Sequence, residues 1–188
     1  MARKVLIIIF IAVLSIINID IKANAEAVSM TAVKELIVKH SLELGLDPAL
    51  ALSIAKKESN FCHNKKSRYG AVGVFQLMPS TAKRMGYNPY HLHDNIKGGI
   101  TYYKMMYKMF GSTELALAAY NAGPGNVKKY NGIPPFKETR HFVSSIMANY
   151  KNLKANPDPV IAQYKNSIKE INYKSEDDFR SQQDAILQ

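Results

Sequence analysis

The sequence has little cysteine and comparatively little acid, and both shortages limit what the protein can be. Cys62 is the only cysteine among 188 residues. No disulfide can therefore form within the chain, and its stability must come from a hydrophobic core. Cys62 itself is predicted to pack as a small hydrophobic residue rather than to react. Asp and Glu number 15 against 25 Lys and Arg, a net charge of +10, which favours anionic partners.

Several familiar site patterns are missing as well. The sequence contains no phosphate-cradling loop, no Ser-His-Asp order and no internal repeat. The stretch "HLHD" brings His91, His93 and Asp94 together, but two histidines at i and i+2 do not share a helical face. Asp94 is predicted to cap a helix, so a solvated loop is the better interpretation of this stretch. We therefore predict no metal and no cofactor. The lysines are spread along the chain, which argues against a nucleic-acid partner.

The one long hydrophobic run lies at the N-terminus. Two basic residues precede Val5–Ile17, and Ala23 and Ala25 supply small residues at the −3 and −1 positions of a cleavage site. This pattern predicts a signal peptide over residues 1–25. The run is short for a membrane span, so an uncleaved anchor is the weaker alternative. We expect a monomer exported to the periplasm or cell envelope of a bacterium, without stable membrane insertion after cleavage.

After residue 25 the hydrophobic spacing predicts an all-α domain of short helices over 26–156 and a tail over 157–188, part helical or disordered. Residues 59–78 lack helical periodicity and are predicted to form a structured loop. The predicted helices are a first one ending at Gly45; one from Asp47 and Pro48 to about Glu58; one from Pro79 to before Gly86; one capped by Asp94 and closed by Gly111, with Ile96, Ile100, Tyr103, Tyr107 and Phe110 on its stripe; one opened by Ser112 or Thr113; a short one from Pro124; and a last one through Leu153.

Glu58 stands out within these helices. In "ALALSIAKKESNF" it lies seven residues after Ala51, on the stripe of small apolar residues that includes Ile54 and Ala55. Apolar surroundings and the negative end of the helix dipole both favour the protonated carboxyl. A glycosidase general acid needs that tuning. On periodicity alone, a residue that borders the stripe and reaches water remains the favoured alternative.

Four motifs surround this residue in order: "ESNF" (58–61), "SRYGAVGVFQLMPSTA" (67–82), "ALAAYNAGPGNV" (116–127) and "PPFKETRHFV" (134–143). In order and spacing they resemble the SLT-type soluble lytic transglycosylases, relatives of goose-type lysozyme. The resemblance covers roughly residues 29–154 and implies a lysozyme-like fold with a groove between helices. Two departures, "GVFQ" for the commoner "GLMQ" and Lys65 for a small Ala, concern the shape of the groove.

The resemblance also implies roles for single residues. Glu58 is the catalytic acid and base, and the family's Ser and Gln, nine and eighteen residues after that Glu, fall on Ser67 and Gln76. These two are expected to bind near the cleaved sugar. The remaining expected substrate contacts are Met78 in the groove wall, Tyr120 and Asn121 of "AYN", and Glu138 of "ETR".

Two of these residues have a competing interpretation. Glu138 could equally interact with a helix dipole. Tyr103, the last expected site residue, lies on an apolar helical face, so core packing is favoured, with its hydroxyl reaching towards the site.

The implied activity is cleavage of the β-1,4 bond between N-acetylmuramic acid and N-acetylglucosamine in peptidoglycan, with a 1,6-anhydro product. Three alternatives stand beside it. They are a hydrolase of the same fold that uses Glu138 to position water, a non-catalytic peptidoglycan-binding component of a secretion or conjugation machinery, and a membrane-active cationic protein. The last is disfavoured because the apolar stripes are narrow and interrupted.

Overall fold

The computed structural model describes residues 29–170 and 173, and within these residues the architecture is helical, without a strand beyond isolated bridges. The helices are α1 Met30–Glu43, α2 Pro48–Ser59, α3 Pro79–Arg84, α4 Leu92–Phe110, α5 Thr113–Ala122, α6 Pro124–Lys129, α7 Lys137–Ala155 and α8 over residues 159–170. The predicted all-α class is confirmed. The predicted signal peptide, residues 1–25, lies outside the described residues.

Local capping chemistry explains where several helices begin and end. The carboxylate of Asp47 accepts a hydrogen bond from the Ala49 amide at 2.9 Å, and Pro48 occupies the first position of α2. The Ser112 hydroxyl accepts from the amide of Leu115 at the start of α5. Gly111 ends α4 in the left-handed conformation, at φ 68°. These three predicted boundaries are confirmed.

The predicted N-cap of α4 is wrong. The helix begins at Leu92, and His91 occupies the cap position without a side-chain bond. Asp94 lies inside the first turn, and its Oδ2 accepts from the amide of Asn88 at 3.0 Å. The carboxylate therefore holds the loop that precedes the helix rather than the helix's own first amides.

Two predictions of burial are also corrected. Tyr107 of α4 is 46% exposed, and Met106 takes the buried position beside it. Cys62 is exposed. Asn60 and Phe61 turn the chain through the left-handed region directly after α2, and Phe61 is the residue that the turn buries. The thiol is therefore directed away from the core.

The core is built where α2, α4 and α5 turn their small and branched residues inward. α4 packs against α5 and α1, α2 against α7 and α1, and α5 also packs against α6 and α7. Among the completely buried side chains are Ala51, Ile54 and Ala55 of α2, Ile96 and Ile100 of α4, and Ala116, Leu117, Ala118 and Ala119 of α5. The short side chains of α5 let its neighbours approach closely.

The loop that follows α2 is irregular, as predicted, and Asn95 of α4 holds it in place. Antiparallel bridges join Val72 to Lys66 and to Leu77. The buried Asn95 accepts from the amide of Phe75 at 2.8 Å and donates to the carbonyls of Val72 and Pro89, both at 2.9 Å. The side-chain oxygen and both amide hydrogens of Asn95 are therefore bonded to backbone groups. These bonds give the loop a defined shape.

Glycines allow this loop to lie directly on α4. A Cβ added at Gly73 would come within 2.3 Å of the Asn95 side chain, and one added at Gly99 within 2.3 Å of Phe75. Gly73 also has φ 79°, in the left-handed region that glycine adopts without strain. Phe75 is completely buried as a result.

The chain continues as helix after residue 158. Asp158 accepts a hydrogen bond from Lys34 of α1 at 2.7 Å, and Val160 is buried against the core. The first part of the predicted tail is thus helical and tied to the rest of the protein. The boundary at residue 156 stays a prediction. In the part of the chain that the structure describes, no helix combines the length and hydropathy needed to cross a membrane.

Candidate active site

A groove of about 390 Å³ runs past the end of α2. Its walls come from the loop after α2, from α4 and α5, and from the first turn of α7. All but one of the predicted site residues line it: Glu58, Ser67, Gln76, Met78, Tyr120, Asn121 and Glu138. Residues separated by up to 80 positions in sequence therefore meet at one surface.

Glu58 lies in the last turn of α2, half-buried where the helix meets the groove. Burial raises the pKa of its carboxyl to about 8. The positive charges of Lys65 and Lys57 act to lower this pKa, but they offset only part of the effect of burial. Lys65 donates from Nζ to the backbone carbonyl of Glu58 at 2.6 Å. Its ammonium therefore binds the end of the helix. No salt bridge forms to the Glu58 carboxylate within the described residues. The carboxyl is protonated at neutral pH.

Tyr120 closes the inner wall of the groove beside Glu58. Its hydroxyl donates to the carbonyl of Phe75 at 2.7 Å, which joins α5 to the loop. Its ring packs against Tyr102, at 5.1 Å between centroids, and lies parallel to Phe142 at 6.4 Å. Burial raises the pKa of Tyr120 well above its usual value, and the Glu58 charge contributes to this. The buried, neutral Tyr120 side chain thus forms part of the wall that Glu58 also lines.

The side chains of Ser67 and Gln76 both form hydrogen bonds within the loop that carries them. The Ser67 hydroxyl accepts from the amide of Ala71 at 3.0 Å. Gln76, at φ 44°, donates from Nε2 to the carbonyls of Gly73 at 2.8 Å and Lys65 at 3.1 Å. Both amide hydrogens are then used, and the side-chain carbonyl oxygen is the polar atom that Gln76 can offer to a ligand.

Asn121 and Glu138 form the opposite side of the groove. The buried Thr139 donates from its hydroxyl to Oδ1 of Asn121 at 2.7 Å. This bond directs the amide hydrogens of Asn121 away from α7. Glu138, one residue earlier in α7, is exposed at the rim. The two carboxyls of the groove thus have different environments, because only Glu58 is substantially desolvated.

Tyr103 does not lie in the groove. It is almost completely buried, and this burial raises its pKa to about 12. It lines a separate apolar cavity of about 780 Å³ between the turn that joins α1 to α2, α4 and the start of α5. The neighbouring Tyr102 faces the groove instead, because consecutive helical residues point about 100° apart. The core-packing interpretation of Tyr103 matches its position.

Sequence reasoning missed several residues of the groove. Tyr69, Thr81 and Tyr102 line it, and Thr139 orients Asn121. Tyr69 and Thr81 belong to the motif "SRYGAVGVFQLMPSTA", and Thr139 belongs to "ETR". Their place in these motifs could therefore have identified them as groove residues. No such signal existed for Tyr102, since the periodicity of α4 places Tyr103, and not Tyr102, on the apolar stripe.

One of the two "HLHD" histidines, His93, takes part in a contact away from the groove. His93 approaches His40 with 3.0 Å between Nδ1 and Nε2, and His40 Nδ1 lies 2.7 Å from the Glu43 carboxylate. Burial lowers the pKa of His40. Within residues 29–170 and 173, no three His, Cys, Asp or Glu side chains are grouped so that they could hold a metal ion.

The family model for the transglycosylase SLT domain matches residues 35–143, more than half of the chain and all of the groove. The chain belongs to the transglycosylase SLT domain family. The soluble lytic murein transglycosylase of Escherichia coli K12 is 32% identical over 142 residues, an alignment that covers 62% of this chain and 22% of that protein. A transglycosylase of Enterobacteria phage PRD1 is 32% identical over 128 residues, which cover 68% of this chain and 46% of the phage protein.

Solved structures of this family show the same lysozyme-like fold. The 70 kDa soluble lytic transglycosylase of E. coli matches with a TM-score of 0.58 and 29% identity over 67% of this chain and 25% of that chain. An inactive mutant of lytic transglycosylase Slt from Pseudomonas aeruginosa matches with a TM-score of 0.57 and 29% identity, over 66% of this chain and 24% of that one. This SLT-family chain thus spans about a quarter of the length of those enzymes.

Proposed function

We propose that this SLT-family protein is a peptidoglycan lytic transglycosylase that cleaves the β-1,4 bond between N-acetylmuramic acid and N-acetylglucosamine. One observation carries the proposal: of the two carboxyls that line the groove, only Glu58 is desolvated, among the lining residues Ser67, Gln76 and Asn121, and its pKa of about 8 keeps it mostly protonated at neutral pH. The named relatives in E. coli and P. aeruginosa support the same reaction. No cofactor is needed for it.

The chemistry needs one protein carboxyl when the substrate supplies the second group. Glu58 donates its proton to the glycosidic oxygen as the bond from that oxygen to C1 of muramic acid breaks. The acetamido oxygen of the same sugar stabilises the positive charge that develops at C1. The Glu58 carboxylate then accepts the proton of the C6 hydroxyl while that oxygen bonds to C1. The acid is regenerated, and the product is the 1,6-anhydro sugar.

The other residues of the groove bind the substrate or shield the Glu58 carboxyl. Ser67 and the Gln76 carbonyl oxygen lie where they can bind the sugar next to the cleaved bond. Tyr120 shields the carboxyl from water, which favours attack by the C6 hydroxyl over hydrolysis. Asn121 presents amide hydrogens to the acetamido region, and Met78 and Glu138 line the outer walls.

Product analysis in labelled water separates this reaction from hydrolysis. Purified peptidoglycan digested in H₂¹⁸O should yield anhydro ends that carry no label, detected by mass spectrometry. A hydrolase that positions water through Glu138 would produce reducing ends that carry one ¹⁸O each. Reducing ends alone would contradict the proposal, and binding without any cleavage would favour a non-catalytic wall-binding component of a secretion apparatus.

The rate should fall as the pH rises through about 8. The first step needs protonated Glu58, and its pKa of about 8 sets the pH at which half of the free enzyme is competent. We expect kcat/KM to decrease about tenfold per pH unit above that value. A profile measured on soluble glycan strands of defined length tests this. A decrease centred near pH 4.5 would show that the catalytic acid has an ordinary carboxyl pKa and would contradict the assignment of a desolvated Glu58 as that acid.

The same carboxyl should make stability depend on pH. Because the pKa of Glu58 is higher in the folded chain than its ordinary value of 4.5, the folded state binds more protons between these two values. Its contribution to the free energy of unfolding is complete below pH 4.5 and is lost as the pH rises through 8. We expect a loss of about 2–3 kcal/mol in urea titrations, absent from Glu58→Gln. This readout is independent of activity.

The cell-envelope location follows from the same proposal. The residues that form the predicted signal peptide precede the described domain, and the net charge of +10 suits the acidic peptides of the cell wall.

A further inference from the structure

Two exposed aromatic rings stand together beside the groove. Tyr130 and Phe136 meet edge to face, with centroids 5.6 Å apart and planes at 82°. They are 42% and 38% exposed. Lys129 places its Nζ 5.6 Å from the centre of the Tyr130 ring. We call these three residues the aromatic platform.

The platform is connected to the groove at both ends of its segment. Gly123, which precedes α6, lines the groove, and Tyr130 follows the last residue of that six-residue helix. Phe136 precedes α7, and Glu138, two residues later, lines the groove. Two peptide steps span at most about 7.6 Å. The platform therefore lies immediately outside the groove, on the side of Glu138.

The segment between the two rings is held in one shape. The amide of Gly132 donates to the carbonyl of Val127 at 3.1 Å, and Val127 is buried. Asn131 turns the chain at φ 46°. Pro134, which lies between Tyr130 and Phe136 in the sequence, is buried. The rings are therefore presented in fixed positions, and binding there orders little additional chain.

The chemistry of the platform suits a sugar that carries an acidic substituent. The face of an aromatic ring has negative potential and attracts the C–H-covered face of a pyranose. The Lys129 ammonium, exposed to water, can pair with a carboxylate. A muramic acid residue has both features, because its stem peptide carries carboxylates and its lactyl group ends in one where the peptide is absent, whereas a chitin oligosaccharide has only the first.

We propose that the aromatic platform binds the peptidoglycan strand beyond the sugars held in the groove, through a stacked sugar and a carboxylate of its stem peptide. This inference rests on the proposed function, and it adds a binding site outside the residues that surround the reaction. It makes affinity depend on strand length, since a short strand that fills only the groove does not reach the platform.

The test measures binding to uncleaved strands. The parent protein carries Glu58→Gln, and the variant adds Tyr130→Ala and Phe136→Ala. The matched control adds Tyr90→Ala, which removes an exposed ring that does not line the groove. Purified peptidoglycan strands, sorted by length, and chitin oligosaccharides of matched length are titrated by calorimetry. Circular dichroism verifies the fold of each variant.

The double variant should lose about tenfold in affinity for long strands and stay within about twofold of the parent for a disaccharide or tetrasaccharide. Tyr130→Phe should keep the parent affinity, and Lys129→Ala should weaken binding of the peptidoglycan strands but not of the uncharged chitin oligosaccharides. Equal affinity of the double variant and the Tyr90→Ala control for long strands would overturn the platform while leaving the proposed function intact. A parent that binds no strand at any length would overturn both.

Discussion

Replacing Glu58 with Gln should reduce strand cleavage by about a thousandfold or more while leaving the fold intact. The amide has the size of the protonated carboxyl but no proton of suitable acidity to donate. General acid and base catalysis is worth about 10²–10⁴-fold in rate, and here one residue serves in both steps. The measurement is release of soluble muropeptides from purified peptidoglycan, compared at equal concentrations of folded protein. Retention of more than about a tenth of the rate would show that another group is the acid.

Glu138→Gln is the matched control for this substitution. It converts the second carboxyl of the groove to the same amide, but Glu138 is exposed at the rim and donates no proton in the proposed reaction. We expect its rate to fall less than about tenfold, through weaker strand binding. If the two variants lose activity equally, the two-carboxylate mechanism of a hydrolase becomes the better explanation.

Replacing Asn95 with Leu should destabilise the protein by about 3–5 kcal/mol. The substitution nearly conserves volume but leaves the amide of Phe75 and the carbonyls of Val72 and Pro89 without the side-chain partner that each now has. An unsatisfied buried polar group costs about 1–3 kcal/mol. Urea denaturation monitored by circular dichroism gives the change in the free energy of unfolding.

Asn64→Leu provides the comparison, because Asn64 lies on the same loop but is exposed. A surface change of this kind should alter stability by less than about 0.5 kcal/mol. Residual folded Asn95→Leu should also cleave peptidoglycan slowly, since the loop carries Ser67 and Gln76 into the groove. A stability loss below about 1 kcal/mol would mean that water replaces the amide and that the loop does not depend on it.

Much of the helical architecture could be predicted because its signals are local. Asp47 and Pro48 open α2 through bonds within three residues, and the left-handed Gly111 ends α4 in the same way. The prediction at Asp94 was wrong because an acid in a first turn can bond to the preceding loop as readily as to the helix's own amides. Sequence spacing does not distinguish these two partners.

For Glu58, periodicity predicted the position on the helix correctly but could not predict the environment of the carboxyl. Its stripe with Ala51, Ile54 and Ala55 was correct, and these alanines and the isoleucine are completely buried. Whether the carboxyl at the end of that stripe meets water or protein depends on Tyr120, 62 positions later in the chain, and on the loop that Tyr120 bonds. Only motif order, through family resemblance, pointed to that arrangement from sequence.

Sequence alone determined the helical class, most helix ends, the irregular loop and the identity of the motif residues, because each depends on neighbours within a few positions or on a shared pattern. Tertiary structure decided that Tyr102 rather than Tyr103 faces the groove, and that Thr139 orients Asn121. It also decided that Cys62 is exposed while Phe61 is buried. These outcomes depend on which surface packs against which, and burial is a property of the assembled core rather than of any one segment.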